Sequence, residues 1–199
     1  MAFLFFSTTS VSLIVLKICE DSCNAWLVKF LYLNMQTIIR PAEAKDIPGI
    51  LEIVNYNILN STAVYDYDPK SLADIQTWFS EKQQGKWPVL VADSDGEVAG
   101  YATYGTFRFK EGFKFTVEHS VYVSEDHNGK GIGKLLLAEL IALAKTNGLH
   151  VMIGGIDASN KGSIEFHKKF GFRETAILKE VGFKFDRWLD LLFMELHLE

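Results

Sequence analysis

The chain has 199 residues, of which 48% are hydrophobic and 23% charged, and its formal net charge is −5. This length suits one domain with or without an extension, and the composition excludes wholesale disorder. The acidic balance argues against a general nucleic-acid binder, because such proteins are usually basic.

The first 34 residues are mostly apolar and differ in composition from the rest of the chain. A secretory signal would start with basic residues, whereas the first charged side chain here, Lys17, follows the apolar run. That run, residues 1–16, contains several Ser and Thr and is shorter than the roughly 20 residues of a transmembrane helix. Three interpretations stay open: an over-extended reading frame whose natural start is Met35, a membrane anchor, and an additional structural element. We favour the first, which leaves residues 1–34 as an extension outside a domain of residues 35–199.

The two cysteines of the chain, Cys19 and Cys23, both lie in this extension. No second Cys or His pair at zinc spacing accompanies them, and the chain has no H-E-x-x-H motif. We therefore expect two incidental thiols and no metal site.

From residue 35 onward, apolar residues recur at strand and helix spacings in turn. Ser71 is positioned to cap the second helix, and residues 93–96, with the sequence DSDG, form a hairpin turn signal. We predict strands over 37–40, 88–92, 97–107, 115–123, 150–156, 172–181 and 189–198. We predict helices over 47–59 and 159–170, a helix that begins at residue 72, and another that follows the segment after residue 123 and ends at about residue 147. This order predicts an α/β or α+β domain around a mixed sheet.

A glycine-rich segment, residues 128–133 with the sequence NGKGIG, lies between a predicted strand and a predicted helix. Glycines there let backbone N–H groups approach a ligand closely, and a helix N-terminus favours anions. A Walker A loop would need Ser or Thr where Leu135 follows Gly133 and Lys134, and a Rossmann loop has a different glycine spacing. A turn before a core helix is the simpler alternative.

Other segments add to this loop a longer pattern: TVEHSVYV at 116–123, GLHV at 148–151, IDASN at 156–160, SIEFHKKFGF at 163–172 and VGFKFDRWLD at 181–190. Together they resemble the GNAT (GCN5-related) N-acetyltransferases and, within them, the phosphinothricin and methionine sulfoximine N-acetyltransferases. The resemblance runs from about Met35 to Leu198. It implies the GNAT fold, a mixed sheet of about seven strands flanked by about four helices, with a V-shaped splay between strands 4 and 5.

The resemblance implies that acetyl-CoA lies across this splay. Backbone groups of Val121, Tyr122 and Val123 would pair with its pantetheine arm, and Asn160 and Lys169 match further cofactor positions. The pyrophosphate would bind the N–H groups of Gly129, Lys130, Gly131, Ile132, Gly133 and Lys134. The family has Arg or Gln where this chain has Asn128, and we expect only modest weakening because the loop binds mainly through its backbone.

Acetyl transfer to an amine needs a base for the ammonium proton and a proton for the leaving thiolate. Glu118 is the candidate base, because it is a lone carboxylate in an otherwise apolar strand; a solvent-facing charge is the alternative. His167 stands where many family members have a Tyr that protonates the thiolate, and a surface His is the alternative. His119, on the other face of the strand from Glu118, lines the pocket or is a core residue, and we favour the core.

The substrate residues are also implied by the resemblance. Arg108 would bind a carboxylate bidentately, or belongs to a solvated hairpin. Tyr65 lies in a segment that resembles the one closing over the substrate. The substrate-contact positions on the hairpin are Glu111, Gly112 and Phe113. The aromatic and basic segment 182–188 is more typical of sheet packing and a dimer surface than of a ligand site.

The sequence therefore predicts a cytoplasmic, homodimeric N-acetyltransferase that uses acetyl-CoA and no metal. We expect direct transfer, in a ternary complex, to the α-amine of a small amino-acid analogue such as phosphinothricin, methionine sulfoximine or methionine sulfone. We expect no nucleic-acid or membrane partner. Two alternatives stay open: an acetyltransferase acting on a protein N-terminus or a polyamine, and a non-catalytic CoA-binding domain.

Overall fold

The computed structural model describes residues 37–199. The predictions on residues 1–34, including the two thiols and the domain boundary at residue 35, lie outside the described residues. The strands are β1 (Thr37–Pro41), β2 (Val89–Ser94), β3 (Glu97–Thr106), β4 (Thr116–Val123), β5 (Val151–Asp157), β6 (Arg173–Lys184) and β7 (Arg187–His197). The helices are α1 (Ile47–Asn60), α2 (Leu72–Gln84), α3 (Ile132–Thr146) and α4 (Lys161–Lys168). Their order is the predicted one.

Local chemistry accounts for the start of α2 and for the first hairpin. The hydroxyl of Ser71 accepts a hydrogen bond from the Asp74 amide, and the Asp74 carboxylate accepts one from the Ser71 amide. This reciprocal capping box satisfies two amides at the start of α2 and confirms the predicted cap. Asp95 and Gly96 both have positive φ, as the predicted tight turn between β2 and β3 requires.

The seven strands form one sheet in the order β1-β2-β3-β4-β5-β7-β6. Only β4 and β5 are parallel neighbours, and their ladder runs from Thr116 opposite Val151 to Glu118 opposite Ile153. Beyond that point β4 continues to Val123, still paired with β3, while β5 continues to Asp157, still paired with β7. The facing edges of β4 and β5 therefore separate, which confirms the predicted V-shaped splay.

Helices cover both faces of the sheet. On one face α1 and α2 pack on β2 and β3 through a cluster that includes Ile50, Phe79 and Val91. On the other face α3 and α4 pack on the central strands through a larger cluster that includes Leu140 and Met152. Successive residues of β4 point to opposite faces, so Glu118 and His119 face different layers. Among the helices of residues 37–199, none is long and apolar enough to cross a membrane.

A charged cluster joins β1 to the start of α1 and to β2. The guanidinium of Arg40 donates two hydrogen bonds to Asp46, at 2.7 and 2.8 Å, and two to Asp93, at 2.9 and 2.8 Å. The Asp46 side chain is 4% exposed. The pKa of the Asp46 carboxyl is lowered, chiefly by its hydrogen bonds with Arg40.

The last hairpin differs from its prediction. The predicted closing strands, 172–181 and 189–198, are too short at the hairpin, because β6 runs to Lys184 and β7 begins at Arg187. Phe185 and Asp186 make the turn between them, both with positive φ. The strand pattern was hidden because the inward positions of β6 are Gly182 and Lys184, which are buried without being apolar.

Candidate active site

A cavity of about 90 Å³ opens where β4 and β5 separate. Its walls are residues 119–122 of β4, residues 154–157 of β5, Thr62, Ala63 and Tyr65 of the loop after α1, and Asn160, Ser163 and His167 of α4 and its N-cap. The free edge of β4 runs along it, because the ladder with β5 ends at Glu118.

Unpaired polar atoms concentrate in this cavity. Within the part of the chain that the structure describes, four buried side-chain atoms have no hydrogen-bond partner: Tyr65 Oη, His119 Nδ1 and Nε2, and His167 Nε2. All three residues line the cavity. Buried polar atoms in proteins are nearly always hydrogen-bonded, so this concentration indicates a site built for a polar ligand or water.

His167 is buried, with 6% of its surface exposed, and the surface-histidine alternative is therefore wrong. Its Nδ1 lies 2.7 Å from the carbonyl oxygen of Ser163, one turn earlier in α4. Since a carbonyl only accepts, Nδ1 carries the hydrogen and the lone pair of the neutral ring is on Nε2. Burial lowers the pKa of His167, so the neutral ring prevails at pH 7.

His119 lies against His167, with 5.1 Å between the ring centroids. It is 7% exposed, and burial lowers its pKa to about 3, so this ring is neutral as well. The expectation of a core residue captured its burial. It missed that His119 also lines the cavity and has no internal partner for either nitrogen.

Glu118 lies on the opposite face of β4, beside Gly105 of β3. A Cβ atom built on Gly155 of β5 would lie 3.0 Å from Glu118 Oε1, so the carboxylate reaches across to β5. The residue is solvent-accessible, but the surrounding protein displaces enough water to raise the pKa of Glu118, and the charge of Arg108 partly offsets this. The charge of one predicted site residue, Arg108, thus acts on another, Glu118.

The glycine-rich loop has the geometry of an anion site. Gly129 and Gly131 have φ of +77° and +81°, a region that side-chain-bearing residues rarely adopt. The amide of Lys130 donates to the His127 carbonyl and that of Lys134 to the Gly131 carbonyl. Four of the six predicted pyrophosphate amides have no backbone acceptor within residues 37–199: those of Gly129, Gly131, Ile132 and Gly133.

The remaining predicted cofactor residues have mixed placements. Val121 and Tyr122 line the cavity, and Val123 follows them at the end of β4. Asn160 lines the cavity too, although its Oδ1 also accepts a hydrogen bond from the Ser163 amide and so caps α4. Lys169 is exposed at the C-terminal cap of α4, outside the cavity lining.

The predicted substrate residues are not all brought together. Tyr65 lines the cavity. Glu111, Gly112 and Phe113 form an exposed helical turn outside the cavity lining, and the ring of Phe113 packs edge-on against Phe107. The contacts predicted for that turn stay predictions.

Two polar residues of the site were not found by sequence reasoning. Asp157 is 5% exposed, lines the cavity and accepts a hydrogen bond of 2.6 Å from Thr62 Oγ1. Lys184 is 2% exposed and donates to carbonyls of the loop after α1. Their partners lie 95 and more than 100 residues away along the chain, so no local signal marked them.

Known proteins resemble this chain over most of its length. A family model described as an acetyltransferase (GNAT) domain matches residues 39–193. An L-methionine sulfoximine/L-methionine sulfone acetyltransferase of Pseudomonas paraeruginosa is 48% identical, over 83% of this chain and 96% of that protein. A phosphinothricin N-acetyltransferase of Alcaligenes faecalis is 32% identical, over 79% of this chain and 80% of its own length. The crystal structure of a GNAT superfamily phosphinothricin acetyltransferase from Sinorhizobium meliloti, in complex with acetyl-CoA, has a TM-score of 0.79 and 38% identity, and the match covers 82% of this chain and 89% of that one.

Proposed function

Since this chain belongs to the GNAT acetyltransferase family, we propose that it acetylates the α-amine of a small amino-acid analogue such as methionine sulfoximine, methionine sulfone or phosphinothricin. It is an acyltransferase with acetyl-CoA as its co-substrate. The observation that carries the proposal is the splay of β4 from β5, with the Glu118 carboxylate on one side and the neutral imidazole of His167, whose Nε2 has no partner within residues 37–199, on the other. The names of the relatives support the choice of acceptor.

The chain has groups suited to each part of acetyl-CoA. The free edge of β4 at Val121, Tyr122 and Val123 suits the amide-bearing pantetheine arm, which would add to the sheet like another strand. The unpaired amides at the start of α3 suit the pyrophosphate, helped by the partial positive charge of the helix N-terminus. We assign Asn160 and Lys169 to further contacts with the cofactor on the resemblance alone.

Two protons must leave the substrate ammonium before the amide is complete. Glu118 accepts the first and releases it to solvent, and its raised pKa makes it a stronger base than an ordinary carboxylate. His167 accepts the second on Nε2, the atom that carries the lone pair, and then donates it to the leaving thiolate. We therefore propose a relay role for His167, because its neutral ring has no proton on Nε2 to donate at the start.

The acceptor pocket is proposed on the Glu118 side of the sheet. Arg108 would pair with the substrate carboxylate, Tyr65 would contact the substrate from the loop after α1, and Glu111, Gly112 and Phe113 would contact it from their turn. A cationic hairpin with Arg108 disfavours a polyamine, which is itself cationic. Transfer is direct, because both cysteines of the chain precede the family-matched residues and leave no thiol there for an acyl-enzyme.

A thiol-release assay with acetyl-CoA tests the acceptor. The panel is methionine sulfoximine, methionine sulfone, phosphinothricin, spermidine and a peptide with a free N-terminus. We expect the highest kcat/KM for one of the first three. A preference for the peptide or for spermidine would overturn the acceptor class, and binding of acetyl-CoA without turnover of any amine would favour the non-catalytic alternative.

We further propose that the protein is a cytoplasmic homodimer with its domain in residues 35–199 and without a nucleic-acid or membrane partner. Exposed apolar side chains on β6 and β7 support a dimer surface: Ile177, Leu178, Val181, Phe183 and Trp188. Light scattering during size-exclusion chromatography should give twice the chain mass. A monomeric mass at micromolar concentration would contradict the dimer.

A further inference from the structure

We propose that the end of β6, through Lys184 and Gly182, holds the loop of residues 61–65 against the cavity and thereby sets the affinity for the amine substrate. We call residues 61–65 the substrate loop. The inference rests on the proposed function and assigns a positioning role to a strand that contributes no proposed catalytic group.

Lys184 is a buried ammonium whose acceptors both belong to the substrate loop. Its Nζ donates to the carbonyl of Ser61 at 2.8 Å and to the carbonyl of Val64 at 2.6 Å, and it lies 5.0 Å from the ring centroid of Phe185. Burial of a charge is unfavourable unless hydrogen bonds compensate for the lost water. The two carbonyls satisfy the ammonium, and the ammonium in turn fixes both ends of the Ser61–Val64 segment.

Gly182 makes the second contact. It lies two residues before Lys184 and therefore on the same face of β6. A Cβ atom at Gly182 would lie 2.7 Å from Cε2 of Tyr65, closer than side-chain contacts allow. The absence of a side chain at Gly182 thus lets the Tyr65 ring pack directly against the strand.

The substrate loop reaches the cavity from this support. Thr62, Ala63 and Tyr65 all line the cavity, and the Thr62 hydroxyl donates to Asp157 on its opposite wall. The proposed acetyl-CoA contacts lie on β4, α3 and α4, and Lys184 forms no hydrogen bond with these elements. The substrate loop accepts one long hydrogen bond from β4, 3.5 Å from the Tyr122 hydroxyl to the Ala63 carbonyl, whereas the contact proposed for acetyl-CoA at Tyr122 is with its backbone. Displacing the loop should therefore alter the amine side of the site and spare the binding of acetyl-CoA.

The composition of β6 supports a positioning role over simple packing. A strand that only packs would turn apolar side chains inward, whereas here the inward residues are a glycine and a lysine, and the apolar Val181 and Phe183 face outward. The contacts with the substrate loop explain why a glycine and a lysine occupy these two inward positions.

The test uses the full chain and three variants. Lys184→Met removes the ammonium at similar length, Gly182→Ala pushes on Tyr65 while leaving the Lys184 hydrogen bonds in place, and Lys184→Arg keeps the charge. Lys179→Met is the matched control, because Lys179 lies on the same strand, is exposed and pairs with Asp190. The readouts are KM for the amine, KM for acetyl-CoA, and hydrogen exchange of the substrate-loop amides.

We expect Lys184→Met to raise the amine KM about tenfold or more, as for loss of hydrogen bonds to a charged group. KM for acetyl-CoA should stay within about twofold, a change too small to indicate a lost contact. Exchange in the substrate loop should accelerate, Lys184→Arg should recover part of the affinity, and Lys179→Met should behave as wild type.

An amine KM within about twofold of wild type in a folded Lys184→Met protein would overturn the inference. If that variant does not fold, Gly182→Ala decides alone: an unchanged amine KM would overturn the inference, and a raised one would support it. A wild-type enzyme that acetylates no amine of the panel would instead overturn the proposed function and, with it, this inference.

Discussion

Replacing Glu118 by Gln keeps the size and polarity of the side chain and removes its ability to accept a proton. Asp157, the one carboxylate among the cavity-lining residues, is already bound to Thr62 and Arg187 and is a poor substitute base. His167 lies on the other face of β4 and has its own proposed proton to transfer. We therefore expect kcat to fall by about a hundredfold or more, the usual contribution of general base catalysis.

The role of Glu118 as a base also predicts how the activity changes with pH. A base must be deprotonated, so kcat/KM of the wild type should fall as the pH drops through the raised pKa of Glu118. Because the charge of Arg108 lowers the pKa of Glu118, Arg108→Gln should move this limb to higher pH. In Glu118→Gln this limb should disappear.

The assay is thiol release across the pH range at saturating acetyl-CoA, with the amine concentration varied so that both kcat and kcat/KM are obtained. Glu139→Gln, on the exposed face of α3, is the matched control and should leave kcat unchanged. Retention by Glu118→Gln of about half the wild-type kcat, with the acid limb intact, would refute the role of Glu118 as base.

Three further predictions follow from named contacts. His167→Phe should lower kcat by about tenfold or more with KM for acetyl-CoA unchanged in steady-state assays, and a change confined to that KM would contradict the relay. Gly131→Ala forces a side chain to a φ of +81°. It should lower the free energy of unfolding by about 1 kcal/mol, measured by thermal unfolding, and raise KM for acetyl-CoA. A variant that matches the wild type in both measurements would argue against the loop geometry. Asp46→Asn removes one partner of Arg40 and should cost about 2 kcal/mol in urea unfolding at pH 7. Because the folded pKa of Asp46 is lowered, its carboxylate stabilises the fold above the usual Asp pKa, and this stabilisation is lost as the pH falls through the lowered pKa. A loss of stability in Asp46→Asn that is the same at pH 3 and pH 7 would contradict this role of the carboxylate.

Local patterns anticipated most elements and the first features of the site. Ser71 and the Asp95-Gly96 turn are short-range signals, because capping and tight turns depend on neighbouring residues alone. Glu118 stood out as a charge in an apolar strand, and the glycine-rich loop stood out by its spacing. The resemblance then supplied the mixed sheet of about seven strands and the splay that separates β4 from β5.

The tertiary structure decided what surrounds each of these groups. His167 and His119 are neutral because packing removes water from both rings, and Nε2 of His167 and both nitrogens of His119 have no partner in the part of the chain that the structure describes. Burial of that kind is set by elements far apart in the chain. Lys184 binds carbonyl groups that lie more than a hundred residues away along the chain, so the residues next to it in the sequence do not indicate its role. The sequence by itself determined most elements and the charge at Glu118, because these depend on local pattern, and its motifs indicated the family through their resemblance to known acetyltransferases. The pKa values, the direction of the His167 lone pair and the support of the substrate loop depend on burial and distant partners, which only the folded chain defines.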